Sequence, residues 1–307
     1  MRVVITGATG TIGRRLVAEL RERGSTVTVL SRNPAHARDA LPGQVEAHEW
    51  PDPKWSPPPA EALRGRDGIV HLAGEPIAQR WSDEAKREIR DSRVLSTRNL
   101  VEALRGLPAA ERPRVLVSQS ASGWYGARGD EPVDESAPAA SDFLARVTAS
   151  WEGEAERAEE LGLRVVRTRT GVVLSESGGA LEKMLPPFKL GVGGPVAGGK
   201  QYVPWVHLDD VAGAIAFCLE TEEARGPVNV SAPEPVTNRE LSQALGRVLR
   251  RPAVAPVPAF AVKLLYGEMA MVVTTGARVV PRRLQELGYE FRRPQLEPAL
   301  RAATGRS

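Results

Sequence analysis

A glycine-rich turn, 7-GATGTIG-13, separates two runs of different period. Before it, 2-RVVIT-6 is short, apolar and β-branched, the pattern of a strand buried on both faces of a parallel sheet. After it, 14-RRLVAELRERG-24 carries Leu16, Val17 and Leu20 at helical spacing and stops at Gly24. A second apolar run, 26-TVTVL-30, completes a βαβ unit of about 30 residues. In that setting each glycine has its own reason. Gly7 permits a sharp turn off the strand, Gly10 lets backbone approach a pyrophosphate, and Gly13 lets the helix pack close to the sheet. The free amides and the dipole at the helix start favour phosphate oxygens. Gly7, Thr9, Gly10, Thr11, Ile12 and Gly13 are therefore expected to contact a dinucleotide. The spacing is G-x-x-G-x-x-G.

The residue after the second strand selects the dinucleotide. A carboxylate there binds a ribose 2′-hydroxyl. This chain has Ser31 and Arg32, with no carboxylate before Asp39. A guanidinium binds a 2′-phosphate bidentately, so the expected cofactor is NADP(H). Read structurally instead, Arg32 is a solvated loop charge.

Further strand-like runs lie at 45–50, 68–73, 114–120 and 163–168, with helical stretches at 82–106 and 141–162 between them. Alternation of this kind predicts an α/β fold, a Rossmann-type doubly wound parallel sheet. Residues 1–170, rejoined by 205–232, are assigned to the sheet. Residues 171–204 and 233–307 are assigned to a smaller α/β substrate lobe, with the ligand cleft between them. The segment 191-GVGGPVAGGKQ-201 is too glycine-rich for a helix interior and is read as crossing strands and a lid.

Composition removes several functions. Hydrophobic residues make up 42% and charged ones 26% of 307 residues, an ordinary globular balance. Lys and Arg number 41 against 38 Asp and Glu, interleaved along the chain, so a nucleic-acid surface is not expected. The four His are scattered without a cysteine partner, which speaks against a metal site. The lone Cys218 offers no internal disulfide. No apolar run approaches the roughly 20 residues of a membrane span, and the start carries no export signal. The expected location is cytoplasmic.

The motifs TGATGTIG, 71-HLAGEP-76 and 118-SQSASGWYG-126 together resemble an extended short-chain dehydrogenase/reductase. A narrower likeness is carried by 80-RWSDEAKREIRDSR-93, 167-RTRTGVVL-174, 178-GGALEKMLPPFKLGVGGPVAGGKQ-201, 205-WVHLDD-210 and 229-NVSAPEPVTN-238. The segment 252-PAVAPVPAFAVKLLYGEMA-270 adds to it. These resemble atypical epimerase-family proteins of the YfcH/SDR39U1 type, nearly end to end. The resemblance implies the extended fold, a nicotinamide cofactor and a possible homodimer through 82–106 and 141–162. It implies no particular substrate. It also marks Leu72, Ala73 and Gly74 as backbone contacts of the cofactor, with Ser118 and Val173 beside them. Arg93 falls where that family places a cofactor-side asparagine. Glu88 then either orients Arg93, contacts the cofactor or lies on a solvated helix face. Arg80 and Trp81 line the cleft or pack the loop.

The resemblance also exposes a departure. The family's acid/base is a Tyr with a Lys four residues on, which draws its pKa down. The residues four beyond Tyr125, Tyr202, Tyr266 and Tyr289 are Gly129, Val206, Ala270 and Arg293. Alignment on Glu152 puts Leu144 and Thr148 in the two relay positions. Three readings follow. In an enzyme with a relocated relay, Tyr125 with Ser120 or Ser122 is the acid/base, and Glu75, Lys183 and His207 are the alternatives. In the others the chain is a cofactor-dependent regulatory protein or a structural remnant.

Overall fold

A computed structural model describes residues 1–306. Its centre is a parallel sheet of β1 (Arg2–Thr6), β2 (Thr26–Ser31), β3 (Glu46–Glu49), β4 (Gly68–His71), β5 (Val115–Ala121), β6 (Arg164–Thr170) and β7 (Gly226–Val230). The spatial order is β7-β6-β5-β4-β1-β2-β3, so the winding reverses between β1 and β4. Ligands of open α/β sheets bind beyond the strand ends at such a reversal. The main helices are α1 (Thr11–Glu22), α2 (Asp83–Arg105), α3 (Phe143–Glu156), α4 (Gly179–Lys189), α5 (Leu208–Glu220), α6 (Asn238–Leu249), α7 (Ala259–Tyr266) and α8 (Leu296–Ala303).

Side chains of β1 alternate between two cores, as the pleat requires. Val3 and Ile5 join Leu16, Leu20, Val211 and Ile215 under α1 and α5. Val4 joins Leu100, Leu104 and Ala155 under α2 and α3. The expected doubly wound sheet is therefore present, with its strands close to their predicted limits. Three local readings change. The first helix begins at Thr11 because Gly10 is its N-cap. The 141–162 stretch breaks after Glu156 and resumes as a short 3-10 turn at Glu159–Leu161. Residues 191–201 form turns and a 3-10 segment, bridged at Val196 to Val257, rather than crossing strands.

The smaller lobe packs α4, α6 and α8 around Leu185, Phe188, Leu245, Leu249 and Leu300. Short strand pairs join it to the sheet: Val172–Leu174 with Trp205–His207, and Pro132–Val133 with Arg278–Val279. No helix among the described residues is long and apolar enough to cross a membrane.

Two buried carboxylates tie the C-terminal segment to the sheet domain. Glu19 of α1 receives Arg292 Nη1 and Nη2 at 2.7 and 2.5 Å and Arg23 Nε at 3.0 Å. Asp210 of α5 accepts the backbone amides of Arg292 and Arg293 at 2.7 and 2.9 Å. The Arg292 hydrogen bonds hold the Glu19 carboxyl down to about 2. A depressed carboxylate contributes stability above its unfolded value of 4.5, lost as pH falls toward 2. Arg292→Ala is expected to remove roughly 1–3 kcal/mol of stability at neutral pH. It should also flatten the acid limb of stability against pH, as read by denaturant unfolding.

Candidate functional site

The glycine turn makes a cradle at the reversal point. Gly7 has φ +69°, and a Cβ there would come within 2.8 Å of the Leu72 carbonyl carbon. At Gly13 a Cβ would lie 2.6 Å from Ala8 Cα. Both glycines are thus required by backbone contacts within the protein. Gly10 differs. It is exposed, and an added Cβ would meet only the Gly7 carbonyl, at 3.4 Å. Its outward side is open to a ligand. The first intrahelical bond runs from the Arg14 amide to the Gly10 carbonyl, and no side chain caps the helix start. The amides ahead of Arg14 therefore remain available to an anion.

Thr9 contributes its carbonyl, which accepts Arg14 Nε at 2.8 Å. Ile12 is half-buried against the α1 core. Thr11 reaches across to the smaller lobe, donating to the Ser177 carbonyl at 3.3 Å, with Gly178 packed onto its side chain. The 175–178 loop thus overlies the start of α1, a contact between lobes that sequence alone did not locate.

At the end of β2, Ser31 is occupied locally. It donates to the Asn33 carbonyl and accepts the Asn33 amide, both at 3.1 Å. Arg32 is exposed, and among the described residues its guanidinium has no hydrogen bond or ion pair. The unpaired cation sits just beyond the end of β2, the strand beside β1.

The end of β4 is held by a buried relay. Thr6 Oγ1 accepts the amides of Leu72 and Ala73 at 3.1 and 3.2 Å. Its proton therefore goes to His71 Nδ1, 2.7 Å away. His71 Nε2 then donates to Ser96 Oγ at 3.2 Å, and Ser96 to the Ser92 carbonyl at 2.6 Å. Complete burial pushes the His71 imidazole down to about 4, so it is neutral at physiological pH. This relay fixes the backbone of Leu72, Ala73 and Gly74 without a charge.

Arg93 lies against that backbone. A Cβ on Gly74 would stand 3.1 Å from its Cζ, so Gly74 admits the guanidinium. Arg93 donates to the Ile89 carbonyl at 2.9 Å and lies over the Trp151 ring, 5.3 Å from its centroid. Burial lowers its pKa to about 10, which leaves it cationic. Glu88 does not orient Arg93. It pairs with Lys54 Nζ at 2.9 Å, tying α2 to the proline-rich 51–59 loop. Arg80 donates to the Leu264 carbonyl at 3.2 Å, and Trp81 is 8% exposed in a packed cluster.

The expected acid/base pair has a different role. Tyr125 is fully buried in a 3-10 turn after β5, not at the end of the strand itself. Its hydroxyl donates to Asn229 Oδ1 at 2.7 Å and accepts from Arg169 Nη1 at 3.1 Å. Burial pushes the phenol up to about 12 despite the nearby guanidinium. Ser120 is 1% exposed and donates to Glu152 Oε1 at 2.5 Å. Arg169 completes the group with a bidentate pair to Glu152 at 2.9 and 3.0 Å, stacked 3.8 Å from the Trp124 ring centroid. A Tyr and Ser so committed and enclosed are badly placed to exchange protons with a substrate. They lock β5, β6, β7 and α3 together. Ser118 is 1% exposed as well, which argues against a side-chain contact with cofactor. Val173 is half-buried in the short strand beside Val206.

Among the alternatives, His207 is buried and caps α5 by accepting the Asp209 amide at 3.1 Å. Asp209 and Asp210 lie in the first turn of that helix. Lys183 Nζ donates to the Ala78 carbonyl at 2.6 Å. Glu75 is exposed beside Arg93, and its carboxylate has no hydrogen bond among the described residues. Leu144 and Thr148 do occupy the place below the β5 turn. A Cβ on Gly123 would be 3.4 Å from Leu144 Cβ and 3.8 Å from Thr148 Oγ1.

Comparison with known proteins fits this geometry. Residues 3–231 match the NAD dependent epimerase/dehydratase family. The chain belongs to that family. Residues 257–303 match a C-terminal domain of unknown function, DUF1731. A chloroplastic SDR39U1 homologue of Arabidopsis thaliana is 42% identical, over 98% of this chain and 86% of the relative. The Homo sapiens epimerase family protein SDR39U1 is 35% identical, over 98% and 99%. A crystal structure of the human protein with NADPH superposes with a TM-score of 0.86 at 33% identity, covering 99% of each chain. The narrower resemblance to SDR39U1-type proteins is thereby upheld.

Tyr125→Phe is expected to cost about 1–3 kcal/mol in denaturant unfolding, because it strands Asn229 and Arg169. Dinucleotide affinity should stay within twofold of wild type by calorimetry.

Proposed function

We propose that this chain binds NADP(H) and exchanges hydride with a small carbonyl compound, without the tyrosine relay of its family. The supporting observation is the pairing of an open, uncapped α1 start at Gly10 with an unpaired Arg32 where a carboxylate would reject a 2′-phosphate. The fit is local and chemical. The amides of Thr11, Ile12 and Gly13 suit a pyrophosphate, and Arg32 suits the extra phosphate. Gly74 admits the Arg93 guanidinium, a cation at the end of β4. The NADPH bound by the human relative is consistent with this reading. When bound, the nicotinamide supplies or accepts the hydride.

The chain's own residues set what else is possible. Epimerisation through a keto intermediate needs a base for the substrate hydroxyl at each turnover, and Leu144 and Thr148 supply none. Thr148 Oγ1 donates to the Leu144 carbonyl at 2.8 Å. We assign the proton to Glu75, the uncommitted carboxylate at the carboxyl end of β4. A second reading, a cofactor-dependent regulatory protein, is favoured by the apolar Leu144 in the relay position.

Arg32→Ala should weaken NADPH about 10–100-fold in calorimetry while NADH stays unchanged, as loss of charge-assisted hydrogen bonds to one phosphate requires. Glu75→Gln should reduce NADPH oxidation with an active carbonyl compound about a hundredfold at unchanged NADPH affinity. If NADPH binds and no carbonyl compound in a broad panel is reduced, the regulatory reading replaces the catalytic one.

A further inference from the structure

The walls around Leu144 are apolar. Trp81, Ile89 and Met269 form a buried cluster, and Ile77, Phe143, Leu144, Met271 and Val272 pack on it while remaining half-exposed. Trp81 and Phe143 meet edge to face at 5.1 Å. The cluster draws on four separate segments: the loop after β4, the first turns of α2, the start of α3, and the turn after α7. Gly267, at φ +62°, joins that turn to α7. Helix α7 buries only Val262, and it leaves Phe260, Leu264 and Leu265 at 75%, 76% and 69% exposure. An apolar wall therefore runs from the relay position outward along the C-terminal segment.

The cations at the inner end of this wall are already engaged, while Lys263 on exposed α7 has no partner among the described residues. Arg80 holds the Leu264 carbonyl, and Lys183 holds Ala78. Lys86 pairs with Glu268 at 2.5 Å and lies over the Phe143 ring. Arg128 donates to the Tyr125 and Pro138 carbonyls at 3.1 and 2.9 Å, and Arg278 donates to that of Asp130 at 3.3 Å. A nucleotide-linked sugar carries a diphosphate, which needs unengaged guanidinium or ammonium donors. Two methionines and branched aliphatic side chains instead suit an apolar body of variable outline.

We infer that the substrate is an apolar aldehyde or ketone without phosphate, its body lying against Ile77, Leu144, Met271 and Val272 with α7 as the outer wall. This rests on the hydride-transfer reading above. In the reaction the carbonyl carbon would take hydride from NADPH, and the oxygen would take one proton from the Glu75 carboxyl, which solvent water then reprotonates. The products are an alcohol and NADP⁺, and no further reactant is needed.

The test uses the full chain with benzylacetone and decanal as apolar probes and UDP-glucose as the polar one. Binding is read by tryptophan fluorescence and calorimetry, with and without NADPH. The apolar probes should bind at least tenfold more tightly than UDP-glucose. Val272→Asp and Leu264→Asp should each weaken them fivefold or more, with NADPH affinity unchanged. Leu264 is exposed, so its variant retains the native thermal midpoint even if the Val272 variant does not fold. Tighter binding of UDP-glucose overturns the inference, as does apolar binding indifferent to Leu264→Asp. Failure of NADPH to bind would instead overturn the cofactor reading, since apolar binding is also measured without cofactor.

Discussion

The close approach of backbone at Gly7 and Gly13 is the constraint on which the site depends. Gly7 touches the end of β4, and Gly13 touches the Ala8 backbone. Together they bring three things to one point: the start of α1, the turn after β1 and the strand on the far side of the winding reversal. A side chain at either position would push α1 off the sheet and separate its free amides from the β4 end. Gly10 is spared that role. It is the one glycine of the three whose open side faces away from the protein, which makes it the natural neighbour of a ligand.

Around that point the protein uses two opposite ways of burying polar groups. The Thr6–His71–Ser96 chain is neutral and satisfied at every step, so it costs little to enclose. The Glu152–Arg169 group is charged and equally enclosed. It is tolerable because the guanidinium has a bidentate partner, a tyrosine hydroxyl, the Glu135 carbonyl and the face of Trp124. Removing any one member would leave a buried charge short of partners. This is why Tyr125 and Ser120 are read as parts of the scaffold, although Ser120 lies near the carboxyl end of β5 and Tyr125 in the turn just beyond it, where a catalytic pair is expected.

The fold was legible because its signals are local. A period of two in β1, a period of 3.6 in α1 and a glycine turn between them are enough to specify the first βαβ unit, and the alternation simply continues. The glycine turn and the uncapped helix start were legible for the same reason, and so was the exposed Arg32 after β2. The roles of Tyr125, Ser120 and Glu88 were not, because each is decided by a partner far away in sequence. Tyr125 is set by Asn229, Ser120 by Glu152, and Glu88 by Lys54. A residue type at the right strand end cannot reveal whether its hydroxyl faces a cleft or a buried carboxylate. One hint was present: 163-LRVVRTRT-170 carries arginines at 167 and 169 within a strand of a parallel sheet, and a buried arginine there demands an acid beside it.

The tie between the lobes has a consequence for the cofactor helix. Arg292 belongs to the C-terminal segment, yet its guanidinium bonds Glu19, two turns along α1 from the phosphate-facing end. Arg15, between them, bridges Glu19 to Asp209 at 3.1 and 2.7 Å. At the opposite end of the same helix Thr11 contacts the 177–178 loop of the smaller lobe. Helix α1 is thus gripped by C-terminal elements at both ends while its first amides stay open. A helix held this way cannot shift toward an incoming phosphate without moving the smaller lobe with it.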